Sequence, residues 1–136
     1  MICYAIIDTN VLVSSLLKRI SIPALIVDLV DNKGIIPIFS DEIIREYIDV
    51  LCRKKFDFEK EDISYVINKI NRCGIKFNCK KTNVKLIDEE DVKFYDLFKS
   101  VESINEVYLI TGNKKHFPGE KNIVTPSEFL EIIGLK

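Results

Sequence analysis

The sequence has no tryptophan, one methionine and one histidine, His116, with five glycines and four prolines among 136 residues. A single histidine leaves no room for a histidine-built zinc site and little for a hydrolase triad. The cysteines, Cys3, Cys52, Cys73 and Cys79, lie far apart with no C-x-x-C pair. That spacing argues against a disulfide framework and reads as reduced thiols of a cytoplasmic protein. Scarce Gly and Pro exclude collagen-like and low-complexity chains. No apolar run approaches the roughly 20 residues that a membrane-spanning helix needs. The apolar opening, Ile2 to Ile7, is short, has no basic region before it and stops at Asp8, so it is not a targeting signal. Net charge is missing too: 20 basic residues against 21 acidic ones leave −1. An anionic substrate would therefore need a local basic patch or a bound cation.

What the chain does have is core. It is 47% hydrophobic and 30% charged, in a length that suits one domain over residues 1–136. Cys3-Tyr4-Ala5-Ile6-Ile7, Ile35 to Phe39 and Val107-Tyr108-Leu109-Ile110 are short continuous apolar runs, the pattern of strands buried on both faces. Ile123-Val124 adds an edge strand, and Ile75 to Ile87 reads as a short strand and a polar loop. Helical patterns fill the gaps. Val11 to Leu17 come first, then a helix opened by Pro23 and stopped by Asn32-Lys33-Gly34. A third is capped by Ser40, a fourth covers Phe58 to Cys73, a fifth Asp88 to Val101, and a last follows Thr125-Pro126. Strands alternating with helices imply an α/β fold, with a mostly parallel sheet of four to five strands between helix layers.

In such sheets ligands bind beyond the carboxyl ends of the strands. Two apolar runs end there in polar residues, Asp8-Thr9-Asn10 and Thr111-Gly112-Asn113. A carboxylate directly after a buried strand is costly unless a cation or a hydrogen-bonded cap compensates it. Asp91 shares a helical stripe with Phe94, Tyr95 and Phe98 and so points along the apolar side. It is either a site residue or a first-turn acid favouring the helix dipole, the reading that suits Glu89 and Glu90. Glu46 lies off the apolar stripe of its helix, where periodicity does not separate a site acid from a surface one. Carboxylates converging on one edge suit Mg²⁺ or Mn²⁺, which can activate water and neutralise a phosphodiester. Three basic runs, Arg53-Lys54-Lys55, Lys80-Lys81 and Lys114-Lys115-His116, are solvated faces or RNA contacts. His116 fits a turn residue or an RNA contact better than a general base. Dinucleotide, P-loop and nucleophile-elbow motifs are all lacking.

Several runs, in order, resemble the PIN-domain family. Ile6-Ile7-Asp8-Thr9-Asn10-Val11-Leu12-Val13-Ser14 resembles its opening motif. Glu46-Tyr47-Ile48-Asp49-Val50-Leu51, with Arg53 and Lys55-Phe56, resembles the second, and Asp88 to Phe94 the third. Tyr108 to Pro118 and Ile123 to Leu130 are similar to the closing segments of one branch, the toxin components of bacterial toxin–antitoxin systems. The resemblance implies a three-layer α/β/α domain, Mg²⁺ or Mn²⁺ at an acidic cluster, and endoribonuclease activity. It makes Asp8, Glu46 and Asp91 metal ligands and catalytic residues, with Asn10, Ser14, Thr111 and Asn113 as supporting groups. It implies an antitoxin partner and a homodimer; from the basic runs, Arg53, Lys55, Lys114, Lys115 and His116 are the weak RNA-contact candidates, and without a long apolar run no membrane association is expected. The chain departs from the family at Asn113, where many members carry aspartate. Glu106, standing where this branch often has an aspartate, is the candidate fourth acid, although it precedes its strand. These departures leave a second reading, a PIN-fold module that binds RNA or protein with weak or no catalysis. A third, a phosphorylated receiver-like regulator, lacks the acidic pair it would need after the first strand.

Overall fold

A computed structural model of the protein describes residues 2–32 and 34–136. Five strands form one sheet: β1 (Cys3–Ile7), β2 (Ile35–Phe39), β3 (Ile75–Lys76), β4 (Tyr108–Ile110) and β5 (Ile123–Val124). Six helices connect and cover it: α1 (Thr9–Leu17), α2 (Ile22–Asp31), α3 (Asp41–Leu51), α4 (Lys60–Cys73), α5 (Val92–Glu102) and α6 (Pro126–Ile132). The order across the sheet is β3-β2-β1-β4-β5, and every pairing is parallel. The result is a three-layer α/β/α domain, its sheet wholly rather than mostly parallel.

The strands are where the apolar runs placed them, because a strand covered on both faces has no polar side to show. Ala5, Ile6, Ile7, Leu109 and Ile110 are at most 1% exposed and form the middle of the core. Helix starts follow capping chemistry. The Ser21 and Ser40 hydroxyls accept from Ala24 N and Ile43 N, and Pro23 lies in the first turn of α2. Thr125 and Glu128 complete a reciprocal capping box on α6. Of the expected stop Asn32-Lys33-Gly34, Lys33 lies outside the described residues, while the Asn32 N–H closes α2 on the Asp28 carbonyl.

Some boundaries differ from the sequence expectation. The fourth helix starts at Lys60 rather than Phe58. The fifth is preceded by a tight 3-10 turn over Glu89–Asp91, capped by the Asp88 side chain on Glu90 N. Residues 77–88 form the long polar loop, tied to α5 by Thr82 N and Oγ1, both donating to Asp96 Oδ1 at 3.0 and 2.7 Å. Gly74 ends α4 where the chain passes close to β2: a Cβ there would lie 2.5 Å from the Pro37 carbonyl oxygen and 2.6 Å from that of Ile70.

The strand order determines where a site can form. From β1 the chain builds outward to β2 and β3 on one side, then returns to place β4 and β5 on the other. The crevice at such a reversal opens above the carboxyl ends of the two strands that flank it, here β1 and β4. Asp8 follows the first and Thr111 the second. Among the described residues no single helix is long and apolar enough to cross a membrane.

Candidate acidic site at the carboxyl edge of the sheet

Asp8 is 4% exposed and stands between the last residue of β1 and the first turn of α1. Its backbone N–H continues the sheet by donating to the Ile110 carbonyl at 2.9 Å. It is not a side-chain cap of α1, since its carboxylate accepts no capping hydrogen bond. Instead both side-chain donors reach one oxygen: Thr111 Oγ1 lies 2.7 Å and Asn10 Nδ2 3.3 Å from Oδ2. The donors are themselves fixed. Gly112 N donates to Asn10 Oδ1 at 3.0 Å, and Asn113 N donates to Thr111 Oγ1 at 3.0 Å.

Both donors are neutral, and among the described residues no cationic side chain pairs with Asp8. Burial therefore pushes its carboxyl up to about 6; the Thr111 bond opposes that rise, and Asp91 and Glu46 add to it. A raised carboxyl among other acids in a sheet-edge crevice makes this edge the candidate functional site.

Asp91 reaches the edge from the other side of the crevice. It closes the 3-10 turn ahead of α5 and is 9% exposed, on the same stripe as the buried Phe94, Tyr95 and Phe98. His116 Nδ1 lies 3.3 Å from its Oδ2. Burial and the neighbouring Asp88 raise the Asp91 carboxyl, while His116 lowers it and Glu46 adds a smaller upward push. Its burial agrees with the inward direction of the helical stripe.

Glu46 comes from the middle of α3, beside Tyr47, which is 1% exposed and donates its hydroxyl to the carbonyl of Ile7, the residue before Asp8. That bond holds α3 to the end of β1. The Glu46 carboxylate accepts the Thr9 hydroxyl on Oε2 and the Lys93 ammonium on Oε1, the latter at 2.5 Å. Lys93 also meets Glu90 Oε2 at 2.9 Å and the Glu90 carbonyl at 3.0 Å. Burial pulls the Lys93 ammonium down, but its bonds to Glu46 and Glu90 outweigh that and its pKa is raised. Neither Lys93 nor Thr9 was singled out in the sequence. Thr9 follows Asp8 directly, and Lys93 stands two positions after Asp91 and three after Glu90, so adjacency to the acids was the signal available.

The remaining candidates divide by position. Asn10, Thr111 and, through its backbone, Asn113 belong to the hydrogen-bonded network at Asp8, and the Asn113 side chain is exposed at the rim. Ser14 is half-buried on α1, and its side chain is not part of that network. Glu106, the candidate fourth acid, precedes β4 at the amino edge of the sheet, near Cys3, whose thiol burial raises first and Glu106 second. A five-residue strand at about 3.3 Å per residue puts that edge roughly 16 Å from Asp8. Arg53 pairs with Asp49 at 3.5 Å and helps lower the Glu90 carboxyl, after the larger effect of Lys93. Lys55 lies over the Phe56 ring, Lys114 pairs with Glu128 at 2.9 Å, and Lys115 is exposed.

Asp8, Glu46 and Asp91 are thus brought within electrostatic reach of one another. As a donor set they suit a hard divalent ion: carboxylate oxygens around a buried acid that only neutral groups contact. In the observed arrangement, however, no group of three or more acidic, histidine or cysteine side chains among the described residues stands close enough to hold an ion. A family model described as PIN domain matches residues 4–115. No curated protein and no solved structure matches the chain.

Proposed function

The chain belongs to the PIN-domain family, whose members are generally nucleases, and we propose that it is a metal-dependent endoribonuclease that hydrolyses RNA phosphodiester bonds. The observation that carries this reading is Asp8. It is a buried carboxylate raised to about 6, held by neutral donors beside two further acids at the reversal point of the sheet.

Asp8, Glu46 and Asp91 would hold Mg²⁺ or Mn²⁺, and the ion, when bound, acidifies water and offsets charge gathering on the phosphate. The chain's own residues do the positioning. Thr111 and Asn10 fix Asp8 through Oδ2, and the Gly112 N–H fixes Asn10. Asn113 at the rim orients water or phosphate, and Ser14 supports α1 beneath the edge. Arg53, Lys55, Lys114 and Lys115 supply the local positive charge that a chain of net −1 does not supply globally, and His116 adds a further RNA contact.

The similarity of the closing segments to one branch supports a toxin role, with an antitoxin covering the acidic edge and the toxin acting as a homodimer. Four unpaired cysteines suit the reducing cytoplasm. One observation favours the other reading, an RNA- or protein-binding module with weak or no catalysis: Lys93 already neutralises Glu46.

The deciding experiment incubates the purified protein with a mixed RNA panel and Mn²⁺ or Mg²⁺, with chelator, Asp8→Asn and Asp91→Asn controls. Metal-dependent cleavage lost in both variants is expected. Cleavage that survives both substitutions would overturn the site, and RNA or partner binding without cleavage under either metal would favour the binding module.

A further inference from the structure

Glu46 is the acid of this cluster that a cation already holds. Its pair with Lys93 is short, 2.5 Å, and both side chains are 13% exposed, so water and salt screen it poorly. The other carboxylate oxygen accepts from Thr9, which fixes the orientation of Glu46. Lys93 has a second anionic seat within reach, Glu90 Oε2 at 2.9 Å, on a side chain that is 75% exposed. A lysine stem is flexible, so the ammonium can move outward to Glu90 while its backbone stays in α5. A divalent ion and an ammonium on one carboxylate would repel each other strongly at such range. In the observed arrangement no three acidic, histidine or cysteine side chains of the described residues stand close enough to form an ion cage.

We propose that Lys93 is a built-in competitor for the metal: its ammonium leaves Glu46 for Glu90 when a divalent ion takes Glu46, and this exchange sets the metal affinity of the site. The inference rests on the metal-dependent reading above. It makes Lys93 a positioning residue that neutralises Glu46 in the metal-free site and raises the metal concentration needed to fill it. Glu90 becomes the residue that receives the displaced charge.

Mn²⁺ binding to the full chain, read from the electron paramagnetic resonance signal of free Mn²⁺, tests this without any RNA. Lys93→Met keeps the apolar stem and removes the charge, and is expected to tighten Mn²⁺ binding about tenfold, the scale typical of groups just outside a metal's ligands. In a Glu46→Gln background the same change is expected to tighten binding by less than about twofold, because the contested carboxylate is gone. Unchanged or weaker binding in Lys93→Met overturns the proposal. So does an equal gain in the Glu46→Gln background, which would reveal only the through-space effect of one lost charge. Circular dichroism establishes that each variant is folded. Should Lys93→Met not fold, Glu90→Gln serves: losing the second seat is expected to weaken Mn²⁺ binding by more than Glu89→Gln, which strips the same charge from the same turn. Equal losses overturn the proposal. Mn²⁺ binding that Asp8→Asn abolishes and Lys93→Met leaves alone defeats this inference only. Folded variants that all fail to bind Mn²⁺ defeat the metal-dependent reading and this inference together.

Discussion

Thr111 Oγ1 lies 2.7 Å from Asp8 Oδ2, joining the carboxyl ends of two adjacent strands across 103 positions of chain. Thr111 is 0% exposed, so its hydroxyl has no water to turn to, and the carboxylate is where its hydrogen goes. Thr111 Oγ1 in turn accepts from Asn113 N. One hydroxyl thus ties the loop after β4 to the acid after β1.

Replacing that hydroxyl should be felt in stability and in charge. Thr111→Val leaves Asp8 Oδ2 and Asn113 N each short of a partner and is expected to cost about 1–3 kcal/mol in urea unfolding. Because the Thr111 bond lowers the Asp8 carboxyl, its loss should raise that group further. Thr111→Ser should retain most of both properties. A valine variant as stable as wild type would show that this bond does not hold the edge together.

The pH dependence of the metal-free protein follows from Asp8. Its carboxyl is raised from 3.8 to about 6, so between these values the folded state binds the proton more tightly than the unfolded chain does. Stability from this group is therefore greatest below about pH 4 and is lost as pH rises through about 6, a change on the order of 3 kcal/mol. Asp8→Asn removes the penalty and should stabilise the metal-free protein at pH 7.5. Urea melts with chelator at both pH values provide the check; a destabilised Asn variant at pH 7.5 would contradict the argument.

Divalent ions should offset most of that difference. An ion that binds only the folded state at a concentration near 100 times its Kd adds about 2.7 kcal/mol. Mn²⁺ is therefore expected to raise the Tm of wild type and to leave Asp8→Asn close to its chelated value. Equal shifts in the two proteins would place the ion elsewhere.

The Tyr47 hydroxyl, donating to the Ile7 carbonyl, is the tie between α3 and β1. Tyr47→Phe keeps the ring against Phe94, whose centroid is 6.3 Å away, and removes only that donor. The expected cost is about 1–2 kcal/mol by thermal or urea unfolding. Weaker Mn²⁺ binding should accompany it, since Glu46 is the neighbouring residue on α3. A stability loss with metal binding intact would show that α3 holds Glu46 in place without this bond.

The sequence by itself determined the strands, the capped starts of α2, α3 and α6, and the inward direction of Asp91. Each depends on residues within about two helical turns of one another, through periodicity, capping or the alternatives open to a buried apolar run. It also marked Asp8, because a carboxylate directly after a buried strand needs compensation wherever the strand lies. Glu46 had no such local mark, and only resemblance to a family raised it. Tertiary structure decided the rest. The order β3-β2-β1-β4-β5 brought Thr111 beside Asp8, and placed Glu106 at the far edge. It also set Lys93 on Glu46, a pair 47 positions apart on two helices that sequence spacing does not relate. Long-range pairs depend on how helices seat on the sheet, and that is a property of the whole core rather than of any local pattern. At Asp8 the local pattern named the acid, and only the assembled edge showed that its donors are neutral and that the nearby cation belongs to Glu46.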